Sequence, residues 1–213
     1  MHLLEAALAW DEAGGGPRWA ALADEIMELM LDRFIDHSTG GLLELFDGHW
    51  RALANDADRH VEPGHQFEWA WLALRWARKR DRPDAIVAAR RLFAIAEAHG
   101  ICEDRKVAML ELNDDFTPRR RIARLWGQTE WLKAALKMAR CSAGAEKEHY
   151  HAAALSAVKA MELYLTDTPK GLWRDKLEDT GAFVDEPAPA SSLYHIVCAV
   201  SELVSACNVA VDS

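Results

Sequence analysis

Cysteine is scarce, and its spacing excludes more than it offers. The four residues, Cys102, Cys141, Cys198 and Cys207, include no Cys-x-x-Cys pair. That pattern argues against a disulfide framework and for reduced thiols in a cytoplasmic protein. No run approaches the ~18 unbroken apolar residues of a membrane span. The opening MHLLEAALAWDEAGGG lacks a basic stretch and carries Glu5, Asp11 and Glu12, unlike a secretory signal. Positive charge is also in deficit: 25 Lys and Arg against 34 Asp and Glu leave a net charge of −9. Neither nucleic acid nor an anionic membrane is therefore expected as the main partner. There is no Gly-x-Gly-x-x-Gly and no P-loop. What remains is a chain 50% hydrophobic and 28% charged, the profile of a globular protein of one domain.

The informative stretch is EPGHQFEWAWL, residues 62–72, where a Pro-Gly break precedes a helix-like run. A helix turns once in about 3.6 residues, so His65 and Glu68 share a face of its first turn. Taken alone, the pair reads as a solvated cap beside a dipole partner. The stretch recurs, however. MHLLEAALAW places His2 three before Glu5, WGQTEWLKAAL places Gly127 three before Glu130, and YHIVCAVSEL opens on His195. The anchors at 2, 65, 127 and 195 lie 63, 62 and 68 residues apart, a structural repeat.

Between anchors lie second amphipathic segments: PRWAALADEIMELMLDRFID, RPDAIVAARRLFAIAEAHG and EKEHYHAAALSAVKAMELYL. Proline opens the first two, where its missing N–H is harmless. Loops rich in Gly, Asp and Pro follow, with room for small hairpins. The expected unit is an inner helix, an outer helix and a long loop. Four inner and three outer helices would gather their loops, with His2, His65, Trp126 and His195, at one mouth. Trp69, Trp71 and Trp76 read as core rather than as sugar platforms.

The segments EPGHQFEWAWLAL, RLWGQTEWLKAAL, ASSLYHIV, MHLLEAALAW and DRFIDHSTGGLLELFDGHW resemble the N-acylglucosamine 2-epimerase superfamily almost end to end. The resemblance implies an all-α fold, here a partial (α/α)6 barrel of about seven helices, with residues 1–213 as one domain. It also implies a sugar isomerase or 2-epimerase acting on mannose, mannose 6-phosphate or an N-acylhexosamine, without metal or other cofactor. By position, His65 and His195 would exchange protons with the sugar, while His2, Glu68, Trp126 and Glu130 would bind it. Family members are about twice as long, and the Asn and first His that normally precede the Met-His of MHLLEA are missing. A C-terminal piece of a barrel is expected, with open edges that would leave the chain either self-associated or poorly stable.

The chemistry suits histidine, whose pKa near 6.5 lets one ring serve as base and acid around neutrality. Removal of a C2 proton from an open-chain aldose gives an ene-diolate. Reprotonation at C1 gives a ketose; reprotonation on the opposite face of C2 gives the epimer. Glu68 is expected to hold one imidazole's tautomer, and His2 to assist ring opening or bind a hydroxyl. Arg119, Arg120, Arg121 and Arg124 either hold a sugar phosphate or are solvated charges paired with Asp114 and Asp115. Two other readings are a non-catalytic sugar-binding or scaffold half-barrel and a His/Glu metalloprotein. The second is disfavoured by the lack of a His-x-x-x-His or Glu-x-x-His pair on any inner helix.

Overall fold

A computed structural model describes residues 1–55 and 58–211, with side chains to Asn208. The described residues form seven α-helices at the places the repeat implies. The inner helices are α1 (His2–Glu12), α3 (Pro63–Ala77), α5 (Leu125–Arg140) and α7 (Ser192–Val211). The outer ones are α2 (Pro17–Leu29), α4 (Pro83–Gly100) and α6 (Gly144–Leu165). Proline occupies the first helical position of α2, α3 and α4, where no intrahelical donor is lost. α2 ends in a widened π-turn over Met30–Phe34.

Burial separates the two layers. α3 packs on α4 and α5, and α5 packs on α6 and α7, so almost every residue of α3 and α5 is covered. The outer helices bury one stripe each, rich in alanine on α4 and α6, which lets the helices approach closely. Phe67 meets Phe93 and Trp131 with ring centroids 5.2 and 6.0 Å apart, tying both layers together. Trp69, Trp71 and Trp76 are all buried, as expected of core residues. The architecture is all-α, an arc of helical hairpins forming part of an (α/α)6 barrel. Its two end helices each keep an open flank. On α7 that flank carries Leu193, Val197, Val200 and Val204, and on α1 it carries Leu3 and Trp10.

The loops between hairpins gather at one end and are joined by short antiparallel pairs. In chain order the strands are β1 (His60–Val61), β2 (Ile101–Cys102), β3 (Val107–Ala108), β4 (Glu111–Asn113), β5 (Pro118–Arg120), β6 (Ala123–Arg124) and β7 (Lys176–Leu177). β1 pairs with β4 and β4 with β5, β2 pairs with β3, and β6 pairs with β7.

Two glutamines fasten these loops to the inner helices. Gln66 donates to the Leu42 carbonyl and accepts from the Leu42 N–H, both at 2.9 Å. Gln128, at the matching place in the next repeat, does the same to Ala108 at 2.9 and 2.8 Å. Each side-chain amide thus acts as a one-residue strand partner, to Leu42 beside its bridge with Ile35 and to Ala108 in β3. Both glutamines are wholly buried. Gln66→Leu or Gln128→Leu would orphan a buried N–H and C=O, each worth about 1–3 kcal/mol. Urea unfolding of either variant is expected to show a loss of roughly 2–4 kcal/mol. A loss under about 0.5 kcal/mol would mean that the clamp contributes no stability.

Candidate active site

The first turns of all four inner helices surround one open cleft of about 790 Å³. His2, His65, Trp126 and His195 line it together, one from each repeat. The Trp126 ring lies between two imidazoles, 5.0 Å from His65 and 5.9 Å from His195 by centroid. Gly64 permits this: a Cβ there would sit 2.4 Å from the Trp126 ring. His2 closes the group, 6.0 Å from His195.

Each of the two central imidazoles is held by a carboxylate through Nδ1. His65 Nδ1 lies 2.7 Å from Glu44 Oε2, and His195 Nδ1 lies 2.7 Å from Glu130 Oε1. An ionised carboxylate can only accept, so Nδ1 carries the proton in both rings and Nε2 is the nitrogen left for a ligand. Glu44 also accepts from the Glu62 N–H at 3.1 Å, which fixes it over the start of α3.

Glu68 and Glu130 sit deeper than the imidazoles. Glu68 orients neither central imidazole, because it is wholly buried and its nearest imidazole nitrogen is His2 Nδ1, 3.9 Å away. Glu130, expected to bind substrate, lies beneath the cleft with no exposed surface, and its contact with a ligand would run through His195. Glu44 was missed because it lies on an irregular loop, 21 residues from His65, outside the helical repeat. The arginine run is also reassigned. Arg120 pairs with Glu111 at 2.6 Å, Arg121 with Asp179 at 2.8 Å and Arg124 with Asp175 at 2.7 Å. Arg119 lies 3.8 Å from Glu111. Asp114 instead bonds Arg59, and Asp115 bonds Thr117. Of the four arginines, Arg124 lines the cleft.

The electrostatics follow from this arrangement. Burial alone would depress His65, but the adjacent Glu44, with Glu62 and Glu68 behind it, raises its pKa to about 9. Partial burial and the neighbouring His195 lower His2. Burial and the Glu130 charge push Glu68 up to about 8, and among the described residues neither of its oxygens has a hydrogen-bond partner. Glu130 differs: burial works against its ionisation, yet Lys133 and His195 hold its pKa below the usual range. Tyr194 is driven upward by burial and by its hydrogen bond to Glu5.

Two groups, His2–Glu5–Glu68 and Glu68–Glu130–His195, bring donor atoms within 4.8 Å of one another, near enough to share an ion. A cation already stands beside them, the ammonium of Lys133, 2.8 Å from Glu130.

The shifted groups set a pH dependence of stability. His65 holds its proton up to about pH 9 when folded, against 6.5 in the reference state, so its contribution is full below 6.5 and is lost as pH rises to 9. Glu68 also binds its proton more tightly when folded, so stability declines again between about 4.5 and 8. Thermal melts are expected to fall from pH 6.5 to 9. Glu44→Gln should flatten the fall above pH 6.5, and Glu68→Gln should stabilise the chain most at alkaline pH. Parallel curves for all three proteins would contradict these assignments.

Comparison with known proteins agrees with this construction. The chain is 54% identical over 205 residues to a protein of Rhizobium meliloti (strain 1021) named mannose-6-phosphate isomerase, covering 95% of this chain and 53% of that one. It is 29% identical over 192 residues to a D-mannose isomerase of Thermobifida fusca, covering 84% and 46% of the two. A crystal structure of D-mannose isomerase superimposes with a TM-score of 0.83 at 20% identity, over 95% of this chain and 54% of the other. Cellobiose 2-epimerase from Bacillus thermoamylovorans B4167 gives 0.79 at 16% identity, over 96% and 51%. These two structural likenesses establish the shared fold. The chain spans about half the length of the curated relatives it matches. The model of N-acylglucosamine 2-epimerase (GlcNAc 2-epimerase) matches residues 1–199, and the chain belongs to that family.

Proposed function

We propose that these helices carry the proton-transfer half of a sugar isomerase or 2-epimerase site, acting at C1 and C2 of an open-chain aldose. The substrate class is mannose, mannose 6-phosphate or an N-acylhexosamine. The observation that carries this reading is the pair of imidazoles facing one cleft, each with Nδ1 held 2.7 Å from a carboxylate. Relatives named for mannose and mannose 6-phosphate isomerisation support it.

The roles follow from charge. His65, with a pKa near 9, is a cation at neutral pH and therefore begins as the donor. His195, its Nδ1–H held by Glu130, presents Nε2 as the base that removes the C2 proton. The imidazolium of His65 meets the negative charge that develops on the former carbonyl oxygen. A proton returned to C1 gives the ketose; one returned to the far face of C2 gives the epimer. Trp126 supplies an apolar wall against the sugar ring, and His2 assists ring opening or binds a hydroxyl. Glu68 lines the cleft as a deeply set side chain, placed to meet the sugar, and Arg124 is the cation placed to meet a phosphate, its charge already shared with Asp175.

In a full-length chain carrying these helices, His65→Ala or His195→Ala should lose at least ~10²-fold in turnover, the scale of a lost acid–base group. His149→Ala, on the outer face of α6, should leave the rate nearly intact, and solvent deuterium should appear at C1 or C2 of the product. Near-normal turnover in both inner-helix variants would remove the assignment.

The open flanks suggest the state of the 213-residue chain itself. Leu193, Val197, Val200 and Val204 form one exposed apolar face of α7, and contiguous faces of this kind favour association. Light scattering is expected to show self-association of the isolated chain, reduced by Val200→Lys with Val204→Lys. A monodisperse monomer with full turnover would contradict the half-barrel reading.

A further inference from the structure

Lys133 is wholly buried on α5, on the side facing the other inner helices, and the proton-transfer scheme above does not use it. A buried lysine is rare unless it is paired, because its charge loses hydration. Its surroundings explain the exception. The four anchors of the repeat place Glu5, Glu68, Glu130 and Cys198 each three residues further on, in one layer at the base of the cleft, which Glu5 and Glu68 line. Cys198 Sγ lies 3.8 Å from Glu5 Oε1, and Tyr194 donates to the other oxygen of Glu5. Three carboxylates thus converge below the imidazoles.

Lys133 Nζ lies 2.8 Å from Glu130 Oε2 and 3.9 Å from the centroid of the Trp71 ring, with Tyr194 beyond at 5.9 Å. The contact with Glu130 is close but poorly aligned for a hydrogen bond, so it acts through charge. The other oxygen of Glu130 is the one that holds His195 Nδ1. Residues at the same step of the other inner helices are Leu8, Trp71 and Ser201, so the cation is particular to α5.

We infer that Lys133 is a positioning residue: its buried ammonium keeps Glu130 ionised, and ionised Glu130 keeps His195 in the Nδ1–H form with Nε2 free for the cleft. Without the ammonium, wholly buried Glu130 would lose the cation that offsets its burial and would take up a proton. A protonated Glu130 can donate as well as accept, and the His195 tautomer would no longer be specified. This inference concerns the state of one ring and holds whether or not the cleft turns over a sugar.

The test is nitrogen NMR of the histidine rings in the 213-residue chain, with His195→Ala to assign the signal. Lys133→Met is expected to shift the His195 ring resonances from the Nδ1–H tautomer towards a mixture. Lys137→Met, one turn further along α5, should leave them unchanged. Where Lys133→Met fails to fold, the same spectrum is taken on Lys133→Met with Glu5→Gln, which removes one carboxylate of the layer together with the ammonium. That double variant is expected to recover most of the lost melting temperature. An unchanged tautomer in a folded Lys133→Met chain would overturn the inference. So would a double variant whose stability loss equals the sum of the two single changes, the result of packing alone.

Discussion

The two-bond clamp of Gln66 on Leu42 is the contact from which the site is built. It joins a buried position of α3 to a loop that begins after a different hairpin. Two residues beyond Leu42 on that loop is Glu44, and one residue before Gln66 is His65. Fastening one point therefore brings carboxylate and imidazole to 2.7 Å. A loop free to move would pay conformational entropy for each of these contacts separately. The Gln128 clamp on Ala108 repeats the device one hairpin later, near Trp126.

Below the clamps the fold accepts an electrostatic burden that a purely structural core would avoid. Glu5, Glu68 and Glu130 enter the interior because the repeat puts their positions on the shared axis. Burying three carboxylates is unfavourable unless they are bonded, protonated or balanced. Each is treated differently: Glu5 bonds Tyr194, Glu130 lies between Lys133 and His195, and Glu68 has its pKa raised to about 8. One layer of similar side chains thereby produces dissimilar charge states, and the imidazoles above inherit the difference. Local strain of this kind belongs to sites rather than to scaffolds.

Much of this arrangement is legible in the sequence alone. The helical periods, the prolines at helix starts and the spacing of the anchors marked all seven helices. The repeat also brought His2, His65, Trp126 and His195 to one end, since equivalent positions of stacked hairpins must share a layer. The resemblance carried by GHQFEWAWL and WGQTEWLKAAL pointed to the family that the comparisons establish. What stayed hidden were the partners. Glu44 sits in GGLLELFDGHW, where no periodicity singles it out, and nothing in WGQTEWLKAAL marks Lys133 as the buried lysine. The partner of Glu68 stays open in the sequence because a three-residue spacing shows proximity along one helix but not across helices.

The sequence by itself determined the helices, their alternation and the axis on which the histidines meet. These follow from hydrophobic period and repeat length, which are local properties or sums of local properties. Only the tertiary structure decided which carboxylate holds which imidazole, which arginines are already paired and which lysine is buried. Those choices depend on distances between elements far apart in the chain. At 2.7 Å a carboxylate fixes a tautomer, whereas at 3.9 Å Glu68 leaves the ring above it unheld.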